Sequence, residues 1–209
     1  MASFDDRAAT WDTPDKVERA EAVAGVILDR LGPLPGARAI EIGAGTGLLG
    51  LAVADRLAAA GAPLAELVLA DPSRGMLDAA DAKVRARDLA FVRTLQFALV
   101  ADPPPDGEPF DLVLSLLVLH HVESTSAALA AVRELLRPGG RVALADLDAE
   151  DGSFHDPEAE GIHHRGFDRH LLASQAHEAG FREVEVGTAT EIEREGRRYP
   201  LFLLTAVAS

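Results

Sequence analysis

Two sets of residues in the chain carry the makings of a binding site and of proton transfer. The first is the run Glu41-Ile42-Gly43-Ala44-Gly45-Thr46-Gly47, where glycines alternate directly after an apolar segment, followed about two dozen residues later by Asp71. Glycines there let the backbone turn sharply and let a ligand approach without meeting a Cβ. An acid closing the next strand lies beside such a turn and can accept both hydroxyl protons of a ribose. Turn and acid together point to a bound nucleoside. The second group is histidines: His120 and His121 after an apolar run, and His155, His163 and His164 in an irregular stretch. An imidazole titrates near neutral pH, so each could take a proton from an acceptor that must lose one. They also admit plainer readings, one of His120 and His121 as a packed, hydrogen-bonded core histidine and the other three as members of a solvated loop. With Asp148, Glu150 and Asp156 the loop histidines could surround a metal. Their spacing matches no standard ligand pattern, so none is predicted.

Nucleoside binding leaves more than one function open. Gly45-Thr46-Gly47-Leu48-Leu49-Gly50 also satisfies G-x-G-x-x-G, the glycine signature of NAD(P)-dependent oxidoreductases. That alternative lacks its other parts. The single tyrosine, Tyr199, has no lysine four residues on, and the only lysines are Lys16 and Lys83. A further alternative is a non-catalytic nucleoside-binding or partner protein on the same scaffold.

These residues need elements to hold them. Apolar positions recur at helical spacing over 15–31 and stop at Gly32-Pro33, predicting an amphipathic helix whose apolar stripe faces the core. A strand at 37–42, a helix at 46–60, a strand at 64–70 ending on Asp71, and a helix at 73–87 with Ser73 as N-cap follow. The alternation continues with strands near 92–99, 110–115 and 141–147 and helices near 125–136 and 168–179. It closes on a hairpin of 184–190 and 199–207 around Glu195-Gly196. Alternating strands and helices give an α/β fold on a mostly parallel sheet. The irregular residues 148–166 leave the carboxyl end of a strand, where open α/β sheets carry ligand loops, and read as a lid.

Composition removes candidates. The 209 residues contain no cysteine, which excludes disulfides, thiolate nucleophiles and cysteine-zinc sites. A formal net charge of −14, with arginines scattered among acids, would repel a phosphate backbone, so no nucleic-acid partner is expected. Apolar runs are strand-sized and no basic leader precedes one, so neither a membrane span nor a secretory signal is predicted and a cytoplasmic location is expected.

Four segments in order resemble the class I S-adenosylmethionine-dependent methyltransferases of small-molecule type. They are Glu41-Ile42-Gly43-Ala44-Gly45-Thr46-Gly47; Asp71-Pro72-Ser73 with Met76-Leu77; Phe110-Asp111-Leu112-Val113-Leu114-Ser115 with His120-His121; and Leu135-Leu136-Arg137-Pro138-Gly139-Gly140. The resemblance covers about residues 37–147. It implies a Rossmann-like, seven-stranded, mostly parallel sheet with helices on both faces and a C-terminal antiparallel hairpin. It also implies S-adenosylmethionine as cofactor, S-adenosylhomocysteine as product, and a small-molecule acceptor methylated on O or N. The layout is then one domain, 1–209, with a helical cap at 1–36, a cofactor core at 37–147, a lid at 148–166 and a terminal helix and hairpin at 167–209. Acceptor identity and oligomeric state stay open.

Position by position, Gly43, Ala44 and Gly45 would pass under the methionine and ribose, Glu41 would hold the turn or reach the methionine amine, and Asp71 would take the ribose hydroxyls. Pro72, Ser73 and Met76 would line the adenine, and Ser115 would join them from the fourth strand. The family often has an acid after the third strand to accept from the adenine amine; here that position falls on Ala98 or Leu99, and Asp102 sits too near Asp111 in sequence to replace it. Backbone and packing at Ala98 and Leu99 are then expected to hold the base. Phe4 and Trp11 could be a hydrophobic anchor or could cover the cofactor, and Trp11, Phe154 and Phe167 are the candidate acceptor-lining side chains.

Overall fold

The computed structural model describes residues 4–156 and 161–209. One seven-stranded sheet runs through it in the order β3-β2-β1-β4-β5-β7-β6. The strands are β1 (Arg38–Ile42), β2 (Glu66–Asp71), β3 (Val92–Gln96), β4 (Phe110–Leu116), β5 (Leu136–Leu147), β6 (Phe181–Arg194) and β7 (Arg197–Ala208). β1 to β5 pair in parallel, whereas β7 pairs antiparallel with both β5 and β6. Central strands read as almost unbroken apolar runs because both faces of the sheet are covered. On one face Ala39, Leu67, Leu69, Leu112 and Leu114 pack with Ile27 of α2 (Pro14–Leu31), Leu49 and Leu57 of α3 (Leu48–Ala59), and Ala80 of α4 (Arg74–Ala86). On the other, Ile40, Val68, Val113, Val142 and Phe202 meet Leu129 of α5 (Thr125–Leu135) and Leu172 of α6 (Arg169–Glu178). A short helix, α1 (Phe4–Arg7), precedes these and buries none of its side chains.

The chain leaves β1 towards β2 on one side and later returns through β4 on the other. Carboxyl ends of β1 and β4 therefore flank a crevice, the place where open α/β sheets bind ligands. Ser73 caps α4, its Oγ accepting from Met76 N at 3.2 Å. The terminal hairpin turns through Glu195 and Gly196, both at positive φ (53° and 74°), which suits a two-residue turn whose twist matches that of the strands.

The largest boundary differences from the sequence reading fall at three places. β3 ends at Gln96, because residues 98–102 close a turn in which Ala101 N and Asp102 N both donate to Ala98 O. β5 begins at Leu136, whose pairing with Phe110 extends the strand back through Pro138-Gly139-Gly140. β6 begins at Phe181 and reaches Arg194, with pairing irregularities at Arg182/Glu185 and Thr188/Thr190 that break its period of two. Residues 1–3 of the expected cap and 157–160 of the expected lid lie outside the described residues.

Candidate functional site

The glycine turn and Asp71 come together at the carboxyl ends of β1 and β2. Gly43 takes φ +63°, and a Cβ on it would stand 2.3 Å from Val118 Cγ2, so only glycine lets the chain leave β1 here. Gly45 takes φ +55°, a backbone conformation that favours glycine; a Cβ there would stand at ordinary contact distance from Trp11 Nε1 (3.8 Å) and Met76 Sδ (4.0 Å), so the indole lies directly over the turn. Ala44 N donates to Ala70 O at 2.9 Å, tying the turn to β2. Asp71 is buried and completes the tie: Oδ2 accepts from Gly45 N and Oδ1 from Ser73 N, both at 2.8 Å. Each oxygen retains a second lone pair, so the carboxylate can still accept from two hydroxyls. Burial pushes its pKa up, against the pull of the two N–H donors.

Glu41 faces the helix instead of the cradle. Its Oε2 accepts from Gly50 N at 2.8 Å in the first turn of α3, and full burial pushes its pKa up to about 8. Of the two roles open to it, the geometry is that of holding the turn. Ser115 is buried and donates its hydroxyl to Ile42 O at 3.0 Å, which fastens the end of β4 to that of β1 and commits this group to the sheet. Pro72 is exposed, and Met76 is buried beneath the turn. Leu99 and Ala98 are half-buried past the end of β3. Asp102, which sequence spacing had set aside, folds back so that its Oδ2 accepts from Ala98 N at 2.7 Å. A carboxylate thus returns to the end of β3, where the family places its acid.

The segment before α2 roofs the cradle. Asp5 Oδ1 accepts from Gly75 N (2.7 Å) and from Ser73 Oγ (2.6 Å) at the start of α4. Asp12 accepts from Thr46 Oγ1 at 2.5 Å and pairs with Lys83, which also donates to Thr46 O at 2.8 Å. Lys16 Nζ lies 3.6 Å from the centre of the Trp11 ring. Both lysines of the chain are therefore engaged here, and Tyr199 instead shares a hydrogen bond with Ser153 at 2.8 Å. The tyrosine-lysine pair of an oxidoreductase is not assembled.

A histidine cluster occupies the other side of the crevice, after β4 and β5. His120 is buried, and its Nδ1 lies 2.8 Å from Oδ1 of Asp146, which is fully buried. Asp146 also accepts from His120 N (3.2 Å) and Leu147 N (2.7 Å). Three donors to one carboxylate offset the cost of burying it, and a carboxylate at Nδ1 assigns the proton to that nitrogen, leaving Nε2 as the basic atom. Sequence reasoning missed Asp146. The signal was an acid inside Val142-Ala143-Leu144-Ala145-Asp146-Leu147, a strand otherwise apolar throughout.

The remaining histidines divide. His121 donates from Nδ1 to Gly161 O at 2.8 Å and stacks 4.1 Å from His120; burial first, then the neighbouring imidazole, lower its pKa. His155 comes from the lid to lie 4.9 Å from the His120 ring; burial, then His120 and His121, push its pKa down to about 4. His164 has Nε2 committed to Val122 O at 2.9 Å, and His163 has an exposed side chain and contributes its backbone N–H to His120 O. Phe154 packs against His155 and Tyr199, whereas Phe167 is buried against Phe202 in the core below the cleft. Phe4 stacks edge-on to His121 at 5.6 Å and lies 5.8 Å from Trp11, joining the roof of the cradle to the histidines. Among the described residues, no group of three or more histidines and acids could hold a metal ion, and no helix is long and apolar enough to cross a membrane.

Comparison with known proteins decides between the nucleoside-binding readings. Residues 40–142 match the family described as "Methyltransferase domain". The chain belongs to the class I S-adenosylmethionine-dependent methyltransferases. It is 30% identical over 209 residues to an uncharacterized 37.1 kDa transposon protein of Streptomyces fradiae, spanning 93% of this chain and 56% of that protein. It is 33% identical to a ubiquinone biosynthesis O-methyltransferase of Dinoroseobacter shibae, over 74% of this chain and 65% of the relative. The chain thus spans somewhat over half the length of these relatives. Its fold is shared with phosphoethanolamine N-methyltransferase 2 of Haemonchus contortus, solved with S-adenosyl-L-methionine, at TM-score 0.70 and 19% identity over all of this chain and 60% of that one. The cradle fits the family's cofactor: a bare glycine turn under an indole, a carboxylate with lone pairs to spare for a ribose, and Asp102 at the end of β3.

Proposed function

We propose that this methyltransferase alkylates an oxygen of a small hydroxylated acceptor, with His120 taking the hydroxyl proton. The observation that carries the reading is the buried Asp146–His120 pair, which engages Nδ1, leaves Nε2 as the basic atom of the ring, and follows the carboxyl end of β4. S-adenosylmethionine supplies an electrophilic methyl group, so little covalent chemistry is asked of the protein. The chain's own residues bind, orient and exclude water. Gly43, Ala44, Gly45 and Asp71 hold the nucleoside and methionine, with Asp102 accepting from the adenine amine and Trp11 closing the top. A neutral alcohol or phenol is a poor nucleophile, and a positioned base contributes about 10²–10⁴ in rate. Asp146 keeps His120 in the tautomer that can accept and stabilises the imidazolium once formed. His155, held neutral by its surroundings, adds a ring face without a competing charge. The ring surfaces of Phe4, His121, His155 and Phe154 suit a flat acceptor.

The test is methyl transfer from labelled S-adenosylmethionine to a panel of phenols, alcohols and matched amines, with His120→Asn and Asp146→Asn beside the parent. Expected are O-methyl products, kcat lower by about 10²-fold or more in both variants, and S-adenosylhomocysteine affinity unchanged. Transfer to amines alone, or undiminished turnover by His120→Asn, would overturn the reading.

A further inference from the structure

Two polar atoms of the lid are buried without a partner. Oε1 of Glu150 and Nδ1 of His155 are shut off from solvent and take no hydrogen bond among the described residues. The other oxygen of Glu150 is fixed, because Oε2 accepts from Gly152 N at 2.7 Å and from Phe154 N at 3.1 Å. The same turn carries Phe154 against the His155 ring, 4.8 Å between centres, and against the buried Tyr199 ring at 5.1 Å. Other charged groups close by are engaged: Asp148 with Arg169, Asp151 with Arg197, and Arg194 with Phe154 O. Arg165 lies along Gly152 without reaching Oε1 of Glu150. Buried polar groups in folded proteins are nearly always partnered, so two orphans in one short loop call for a common partner.

Chemistry narrows that partner. An ionised carboxylate only accepts, so Glu150 Oε1 lacks a donor. Burial, then His120 and His121, hold His155 neutral, with Glu150 near enough to oppose them, so its Nδ1 can also present a lone pair. The two groups leave each other unsatisfied, and one group with several N–H donors can serve both. An ammonium has three. The adjoining rings attract cations, as Arg194 at 5.9 Å from the centre of Phe154 and Arg197 at 5.6 Å from that of Tyr199 show. The His155 ring lies 4.9 Å from that of His120, so one small aromatic molecule can span both. We propose that Glu150 and His155 form an ammonium subsite in the lid, so that the acceptor carries a protonated amine apart from the hydroxyl that receives the methyl group. The inference rests on the reading that the acceptor's hydroxyl is placed at His120.

Calorimetric titration of protein saturated with S-adenosylhomocysteine tests this without turnover. The probes are tyramine and 4-hydroxybenzylamine, which carry an ammonium, 4-ethylphenol, which is neutral, and 4-hydroxyphenylacetate, an anion. The parent should bind at least one amine roughly tenfold or more tighter than 4-ethylphenol, and the anion weakest. Glu150→Gln keeps an oxygen for Gly152 N and Phe154 N but loses the charge. It should cut the amine preference to within about threefold and leave the affinities for 4-ethylphenol and S-adenosylhomocysteine unchanged. His155→Phe, which keeps a ring beside His120 without the nitrogen, should lower the preference in the same direction, and Arg165→Gln should not lower it. Equal binding of amines and 4-ethylphenol by the parent would overturn the inference, as would a preference that survives Glu150→Gln. So would an equal loss for all probes, the mark of a loosened lid, or binding of none of the four. Failure of His120 as the base reads differently: His120→Asn would turn over undiminished while the amine preference and its loss in Glu150→Gln persisted.

Discussion

Replacing Asp71 by asparagine tests the cofactor half of the site most directly. Its two oxygens accept from Gly45 N and Ser73 N, each at 2.8 Å, and each keeps a lone pair that can accept from a ribose hydroxyl. Asparagine keeps one oxygen and turns the other into a donor, which then meets either the Gly45 or the Ser73 N–H head-on. On the ligand side one charged acceptor for a hydroxyl is lost. A hydrogen bond to a charged group contributes about 1.5–3 kcal/mol, and a loss of that size raises Kd roughly 10- to 150-fold. The assay is calorimetric titration with S-adenosylhomocysteine, with adenosine and 2′,3′-dideoxyadenosine as a second pair. If Asp71 holds the hydroxyls, Asp71→Asn weakens the first two ligands and leaves the dideoxynucleoside nearly indifferent. Burial has raised the Asp71 pKa, so parent affinity should also decline with acidification at a pH above the ordinary aspartate range. Binding within threefold of the parent, or an equal loss for adenosine and its dideoxy analogue, would refute the assignment.

Three further outcomes follow from the geometry. Gly43→Ala forces a Cβ against Val118 at a positive φ, and should cost about 1–3 kcal/mol in urea unfolding; adding Val118→Ala should recover only the steric part. Glu41 has its pKa raised from 4.5 to about 8, so the folded protein holds a proton that the unfolded chain has released between those values. Stability should therefore fall as pH rises through that window, by at most about 5 kcal/mol, and Glu41→Gln should flatten the profile in thermal melts across pH 5 to about 9. His155, pushed down to about 4, should show no NMR titration midpoint above about pH 5, whereas a midpoint near 6.5 would place its ring outside the cluster.

What was legible in the sequence was what depends on local geometry. Gly43 and Gly45 announce a backbone that must turn at positive φ, Asp71 closes an apolar run, and the strand–helix alternation forces the parallel sheet, because each signal lies within a few residues of the feature it specifies. Features joining distant segments were not legible. Asp146 meets His120 only because β4 and β5 pair with Leu116 opposite Ala145, a register that no local pattern announces. Asp102 returns to Ala98 through a turn containing Val100 at φ +75°, a conformation that a β-branched residue seldom adopts. Ser115 ends its strand as expected, but its hydroxyl is taken by Ile42 O, a partner supplied by the neighbouring strand.

The same contrast bears on how the site works. Its cofactor half is made largely of backbone: N–H groups of Gly45, Ser73 and Ala98 are each fixed by a carboxylate, and Asp71 and Asp102 are held in return. Such a surface can be kept while side chains around it change, which suits a cofactor shared by a whole family. The acceptor half proposed here is made of side chains from the segment after β4, the end of β5, the lid and the N-terminal segment, held by contacts such as His121 to Gly161 O and Phe4 on His121. Each of those can be exchanged without disturbing the sheet. The Asp146–His120 pair, in contrast, is anchored to the core by three hydrogen bonds to one buried carboxylate. A group held that firmly where its neighbours are free to vary is best accounted for by the step that does not depend on the acceptor's shape, removal of its proton.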